Sequence, residues 1–424
     1  MLSKCAWWRW GILFMLGVCA WMASACEVRD TLPTRAVALA TVEIQPTEWV
    51  DQAAASPVPP TFTAMPKPSI GVLQVNGAVA APSSTPIATQ PLPTRTATPT
   101  ATATSTATAT RYVSSIPDLP PTDELGPSKL GLHVVRNNDP RIMEFVRQAQ
   151  PAVMKAVDDF GFLAEVREAS PRTITVGRHS ITNQDHVGDP VEAARDYVEE
   201  HLETYRANPA VDYWEAWNEP DPNGDRMIWY SRFEQERCRL MAENGFRCAI
   251  GGFATGVPEL DEFVLFLPAI DVANKVGGVL TLHEYSAPDM AYLYGSPLPG
   301  YPPYPDRGAL TFRYRWIYEE ILKPADMVIP LIITEAGVDG IIGNRPGPAG
   351  TGWKDFQSYW ERQGLGETGE QAFINQLAWY DAGVRQDGYV IGFTIFTAGG
   401  IDQWKRYDVN PILPELTDYV VGQR

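Results

Sequence analysis

From Lys129 onward, apolar runs of strand length alternate with stretches whose apolar positions recur at helical spacing. The strand-like runs are Leu130–Val135, Phe162–Arg167, Thr173–Arg178, Tyr213–Glu219, Cys248–Phe253, Val279–Tyr285, Leu331–Glu335 and Ile391–Phe396. Between them the pattern predicts helices over Arg141–Phe160, Pro190–Asn208, Trp229–Asn244, Glu259–Ala273, Thr311–Lys323 and Gly369–Gln386. The first contains Pro151, which is expected to kink it. The gap between the second and third runs is too short for a full helix, so one unit is expected to be degenerate. Strands alternating with helices imply a parallel sheet. Eight such units imply an α/β fold, a (β/α)8 TIM barrel over residues 128–424. The competing arrangement is an open doubly wound sheet, but no Gly-rich phosphate turn follows the first run.

The pattern stops upstream of that point. Residues 26–127 have no period and few charges, and are rich in Pro, Thr, Ala and Ser. Such a stretch buries no core, and its prolines favour extended backbone, so it reads as a disordered linker or stalk. Residues 1–25 read as an export signal: Lys4 and Arg9, then an apolar stretch from Gly11 to Met22, then Ala23-Ser24-Ala25-Cys26. Ala-x-Ala suits ordinary cleavage, a small residue before Cys resembles a lipobox with Cys26 lipidated, and an uncleaved anchor is the third option. Each option places the barrel outside the cytoplasm, extracellular or at the cell surface, with membrane contact only through the N-terminus. Export also permits a disulfide between Cys238 and Cys248, the alternative being two buried thiols. The net charge of −17 argues against nucleic acid and polyanionic partners and favours a neutral ligand.

Two strand-like runs end in a carboxylate followed by a breaker: Trp217-Asn218-Glu219-Pro220 and Thr334-Glu335-Ala336-Gly337. Burying such charges is costly unless partners compensate. In an eight-unit barrel, Glu219 on the fourth strand and Glu335 on the seventh open on one face, where active sites sit. Two facing carboxylates suit glycosidic cleavage, one kept protonated and the other ionised. His283 and Tyr285 share one face of the sixth run, with Glu284 on the other. No metal or other cofactor is expected.

With these residues in place, Lys129 to Val420 resembles clan A of the glycoside hydrolases, the retaining (β/α)8 enzymes that include family 5 and family 39. The resemblance implies that Glu219 is the acid/base and Glu335 the nucleophile. It implies that Asn218 bonds the sugar 2-hydroxyl and that His283 and Tyr285 line the site beside the nucleophile. Arg167, near the end of the second run, is the expected match to the clan's arginine there. The clan's Trp at the end of the eighth strand is missing; Phe396, or Trp404 from the following loop, is the expected substitute. His133, ending the first run, is expected in the pocket wall. Long loops after the sixth and seventh runs carry Tyr292, Tyr294, Trp353 and Trp360, read either as sugar platforms or as loop packing. The expected activity is retaining hydrolysis of O-glycosyl bonds in a neutral oligo- or polysaccharide. The alternative is a non-catalytic carbohydrate-binding barrel on a stalk. The sugar, its linkage, endo or exo action and the oligomeric state are not legible in the chain.

Overall fold

The computed structural model describes residues 112–424, except 122–124 and 182. The expected export signal, Cys26 and the part of the expected linker up to residue 111 lie outside the described residues. Eight parallel strands form one sheet: β1 (Leu130–Val134), β2 (Val153–Val157), β3 (Ile174–Arg178), β4 (Tyr213–Trp214), β5 (Ala249–Phe253), β6 (Val279–Ser286), β7 (Leu331–Val338) and β8 (Val390–Ala398). Their spatial order is β4-β3-β2-β1-β8-β7-β6-β5, and a single Trp214–Cys248 bridge joins the two ends into a barrel. The helices between them are α1 (Pro140–Ala149), α2 (Leu163–Ala169), α3 (Pro190–Ala207), α4 (Asp225–Glu243), α5 (Leu260–Val264), α6 (Leu267–Lys275), α7 (Tyr314–Ile317), α8 (Gln357–Gln363) and α9 (Gly369–Arg385), and α10 (Leu413–Gly422) follows β8.

The second strand corrects the sequence reading. Phe162–Arg167 is not a strand; Leu163 and Val166, three apart, are the buried face of α2. The true β2 lies inside the predicted Arg141–Phe160 helix. There α1 ends at Ala149 with Gln150 in a left-handed conformation, and Pro151 follows with no N–H to continue the helix. Lys155 in the middle of Val153–Val157 interrupts the apolar run and hides the strand. Once β2 is moved, no unit is degenerate.

Strand alternation sorts the side chains. Val153, Val176, Tyr213, Ala249, Val279 and Ile332 form an apolar plug inside the barrel. Leu130, Leu132, Val134, Met154, Ala156 and Trp214 face outward into the main core beneath the helices. Glu284 also points outward, where it accepts from Phe312 N (2.7 Å), Tyr314 N (2.9 Å) and Tyr380 Oη (2.6 Å). Burial pushes its carboxyl up to about 7. Cys238 on α4 and Cys248 just before β5 form a disulfide. Among the described residues, no helix is long and apolar enough to cross a membrane.

Candidate active site

β4 itself is only Tyr213–Trp214; Glu215 N still donates to Gly177 O of β3 at 2.9 Å, and Ala216 to Glu219 run on toward the barrel mouth. Other contacts hold that extension. Gln184 Nε2 donates to Asn218 O, and Asn218 N donates to Gln184 Oε1, both at 2.7 Å. Glu219 N donates to Gly252 O at 2.9 Å. A Cβ on Gly252 would stand 2.9 Å from Trp217 O, so only glycine lets β5 approach this closely. Glu219 has φ +50°, a left-handed conformation that costs an L-residue about 1–2 kcal/mol. The turn aims its carboxylate away from the sheet, leaving that side chain 35% exposed.

Glu335 lies inside β7, which continues through Gly337 to Val338 rather than stopping there. Ladder irregularities flank it, between Ile333 and Ala336 on β7 and between Leu282 and His283 on β6. Such bulges re-aim side chains at barrel rims. The pairing places His283 level with Glu335. Glu335 Oε1 meets Lys155 Nζ at 3.0 Å, Arg178 Nη2 at 3.4 Å and His133 Nδ1 at 3.5 Å. Its Oε2 accepts from Tyr285 Oη at 2.8 Å and stands 3.7 Å from His283 Nδ1. The same His283 Nδ1 lies 2.9 Å from Glu219 Oε1, so one imidazole bridges the two carboxylates.

The electrostatics separate the two acids. Burial alone drives the Glu335 carboxyl up, but the neighbouring His283, Lys155 and Arg178 overcome that and hold it well below the usual carboxylate range. Burial and the neighbouring Lys155 push His133 well down, so its ring stays neutral. Burial and the charges of Glu335 and Glu219 push Tyr285 well up, so it remains a phenol that donates. Glu335 is thus an ionised, oriented carboxylate facing a half-open one.

Glu219, Glu335, His283, Tyr285 and His133 therefore converge. Asn218 sits beside Glu219 with its side-chain oxygen buried and unpartnered. Phe396 is buried and meets His133, Tyr285, Trp404 and Tyr407 edge-on at 5.0, 6.2, 5.0 and 5.4 Å. Phe396 and Trp404 together form an aromatic wall at the mouth. Tyr407 Oη donates at 2.8 Å to Asp339, just past β7.

Arg167 is not part of the site. It lies in the last turn of α2, one-third exposed, and pairs with Asp212 at 2.5 Å. Arg178, the last residue of β3, stands beside Glu335 instead. Of the two readings of the loop aromatics, the structure shows packing. Trp353 is buried and stacks on Phe373, and Trp360 Nε1 donates to Pro288 O at 2.7 Å. Tyr294 packs edge-on against Phe312 and Trp379. Tyr292 packs edge-on against Tyr112.

Sequence reasoning missed Lys155 and Arg178. The available signal for Lys155 was a lone cation inside an otherwise apolar five-residue run. Among the described residues, no group of three or more His, Cys, Asp or Glu side chains is arranged to hold a metal ion.

No family model matches the sequence, and no curated protein matches it. Solved structures do resemble it. A family 39 glycoside hydrolase from the gut symbiont Bacteroides cellulosilyticus aligns at 15% identity and a TM-score of 0.43, over 69% of this chain and 61% of that one. An endo-beta-1,4-glucanase from Xanthomonas axonopodis pv. citri aligns at 10% identity and a TM-score of 0.41, over 70% of this chain and 99% of that one. An endo-beta-1,4-mannanase from Thermotoga petrophila aligns at 12% identity and a TM-score of 0.35, over 70% and 77%. This chain spans about three fifths of the first of these.

Proposed function

We propose that this chain is a retaining β-glycoside hydrolase acting on a neutral oligo- or polysaccharide. In this reading Glu335 attacks the anomeric carbon and forms a glycosyl-enzyme, while Glu219 protonates the departing oxygen. Glu219 then takes a proton from the water that releases the sugar. One observation carries the proposal: a buried carboxylate kept ionised by surrounding cations faces a half-open carboxylate across a single histidine. The 2.9 Å and 3.7 Å legs through His283 Nδ1 limit the nearest oxygens of the two acids to about 6.6 Å. That span favours the short spacing of retaining enzymes, ~5–5.5 Å, over the wider inverting range. Asn218 is suited to a sugar hydroxyl and the Phe396–Trp404 wall to the apolar face of a ring. The net charge of −17 favours an uncharged substrate.

The proposal extends to location: export directed by residues 1–25 and display on the Pro/Thr/Ala-rich stalk, held by a lipid on Cys26 or by an uncleaved segment. Mass spectrometry of the mature N-terminus distinguishes these from a freely secreted form.

Glu335→Ala is expected to abolish turnover of aryl β-glycosides, with azide restoring it to an inverted product. A 2-fluorosugar is expected to label Glu335, read by mass spectrometry. Because the surrounding cations depress the Glu335 carboxyl, kcat/KM is expected to persist through the usual carboxylate range. It is lost only as pH falls through the lower value and the nucleophile takes up its proton. Full activity in Glu335→Ala sinks the assignment. Binding of glucans, mannans or xylans without release favours the non-catalytic barrel, to which Phe396 in place of the clan's Trp lends its support.

A further inference from the structure

Lys155 is completely buried and is one of the cations that keep Glu335 ionised, yet it serves a second carboxylate as well. Its ammonium lies 3.0 Å from Glu335 Oε1 and 2.9 Å from Glu215 Oε2. The other oxygen of Glu215 accepts from Thr334 Oγ1 at 2.7 Å, and Thr394 Oγ1 donates to Thr334 O at 2.6 Å. A connected polar network therefore runs from β8 through β7 and the β4 extension to β2 and ends on the proposed nucleophile. An interior ammonium needs a carboxylate partner, and Glu215 alone supplies one. The second carboxylate on the same ammonium is the feature to explain.

We infer that Lys155 and Glu215 are an opposed positioning pair that sets the ionisation and aim of Glu335. Lys155 favours the ionised form by direct contact. Glu215 moderates that pull, because it shares the ammonium and adds a negative charge of its own. The pair sits among other charges. His133 faces Glu335 from β1, Arg178 from β3, Glu219 from the β4 extension, and His283 and Tyr285 from β6. The strands β5 and β8 carry no titratable side chain. The other cationic partner, Arg178, contacts only Glu335 among the described carboxylates, so Lys155 is the group through which Glu215 acts. Burial works against ionisation of Glu215, but Lys155 and Arg178 hold it at about 2, so it carries its charge wherever the enzyme is folded and active.

The kinetic consequence rests on the glycosidase reading; the ionisation of Glu335 does not. The test therefore pairs two measurements on the full chain. One is the acidic limb of kcat/KM against pH. The other is isotope-edited infrared titration of 13C-glutamate, with Glu335→Gln as the subtraction reference, which needs no turnover. Lys155→Met is expected to raise the Glu335 titration, and with it the acidic limb, by about one pH unit or more. Lys155→Arg is expected to restore most of that shift. Glu215→Gln is expected to move the titration down. Should Lys155→Met not fold, Lys155→Met with Glu215→Met removes both ends of the pair. The titration is still expected to rise there, because the lost cation was the nearer charge. A folded Lys155→Met variant with an unmoved titration overturns the inference, as does a Glu215→Gln variant that raises the titration or leaves it unmoved. If the wild type turns over no glycoside, the glycosidase reading falls, while the infrared titration still decides the role of the pair.

Discussion

Arg167 and Arg178 have the same side chain and opposite surroundings, and the difference lies in the element that carries each. Arg167 ends a helix on the rim and holds Asp212 in company with Arg247. Arg178 ends a strand and is nearly buried beside Glu335. Arg167→Ala is therefore expected to cost about 1–2 kcal/mol of stability, because the part-buried guanidinium also bonds Thr175 and Ala210, and to leave kcat/KM unchanged. Arg178→Ala removes a charged neighbour from the proposed nucleophile and is expected to lower kcat/KM by about tenfold or more, with the fold intact. Steady-state kinetics and thermal melts on the two variants check both halves. An Arg167 variant that loses activity would reverse the assignment. Glu219 and Glu335 were legible because each ends an apolar run and precedes a breaker, a purely local signal. Arg178 also ends a predicted run, but nothing local relates it to a carboxylate on β7.

At the level of elements, the 3.6-residue period, with Pro190 at the start of α3, placed α3 and α9 almost residue for residue, while α4 begins four residues before the predicted Trp229. The failure at β2 has a definite cause. Its inward face must carry a cation to neutralise the barrel's acids, and that cation breaks the apolar run by which strands are detected. The same rule explains the short β4 ladder: Glu215 to Glu219 serve the site, and their backbone is held by Gln184 and Gly252. The Cys238–Cys248 disulfide ties α4 to β5 beside the Trp214–Cys248 bridge where the barrel closes. It encloses a short loop, so replacing both cysteines by serine is expected to cost about 3 kcal/mol, read as a fall in Tm or in the denaturant midpoint. A change within error would mean that the loop is held as well without the bond.

For the molecule as a whole, the described chain begins with a segment that composition alone assigns to the stalk. Tyr112 Oη donates to Asp289 at 3.0 Å, and Ser114 Oγ contacts both Asp289 and Tyr359. Asp289 is fully buried in the loop after β6, and burial pushes its carboxyl up against the pull of these donors. Tyr112 and Ser114 thus form a strap across the loops that follow β6 and β7. Tyr112→Phe together with Ser114→Ala in the full chain leaves that carboxylate short of donors. The expected cost is about 2 kcal/mol or more of barrel stability, measured by denaturant unfolding. An unchanged midpoint would show that the strap is ornamental.

The sequence by itself determined the strand–helix alternation, seven of the eight strands, the side of the barrel on which the acids sit, and the pairing of His283 with Tyr285 on one face; the total of eight came right only because a false strand at Phe162–Arg167 replaced the missed β2. These follow from periodicity, which is local and survives reading one residue at a time. The tertiary structure decided which cations meet Glu335, where the true second strand lies, and that the loop aromatics pack rather than line the mouth. Lys155 and Glu335 are 180 residues apart in the chain and 3.0 Å apart in the barrel. No short-range pattern encodes such a contact, because closing the sheet is what brings β2 opposite β7.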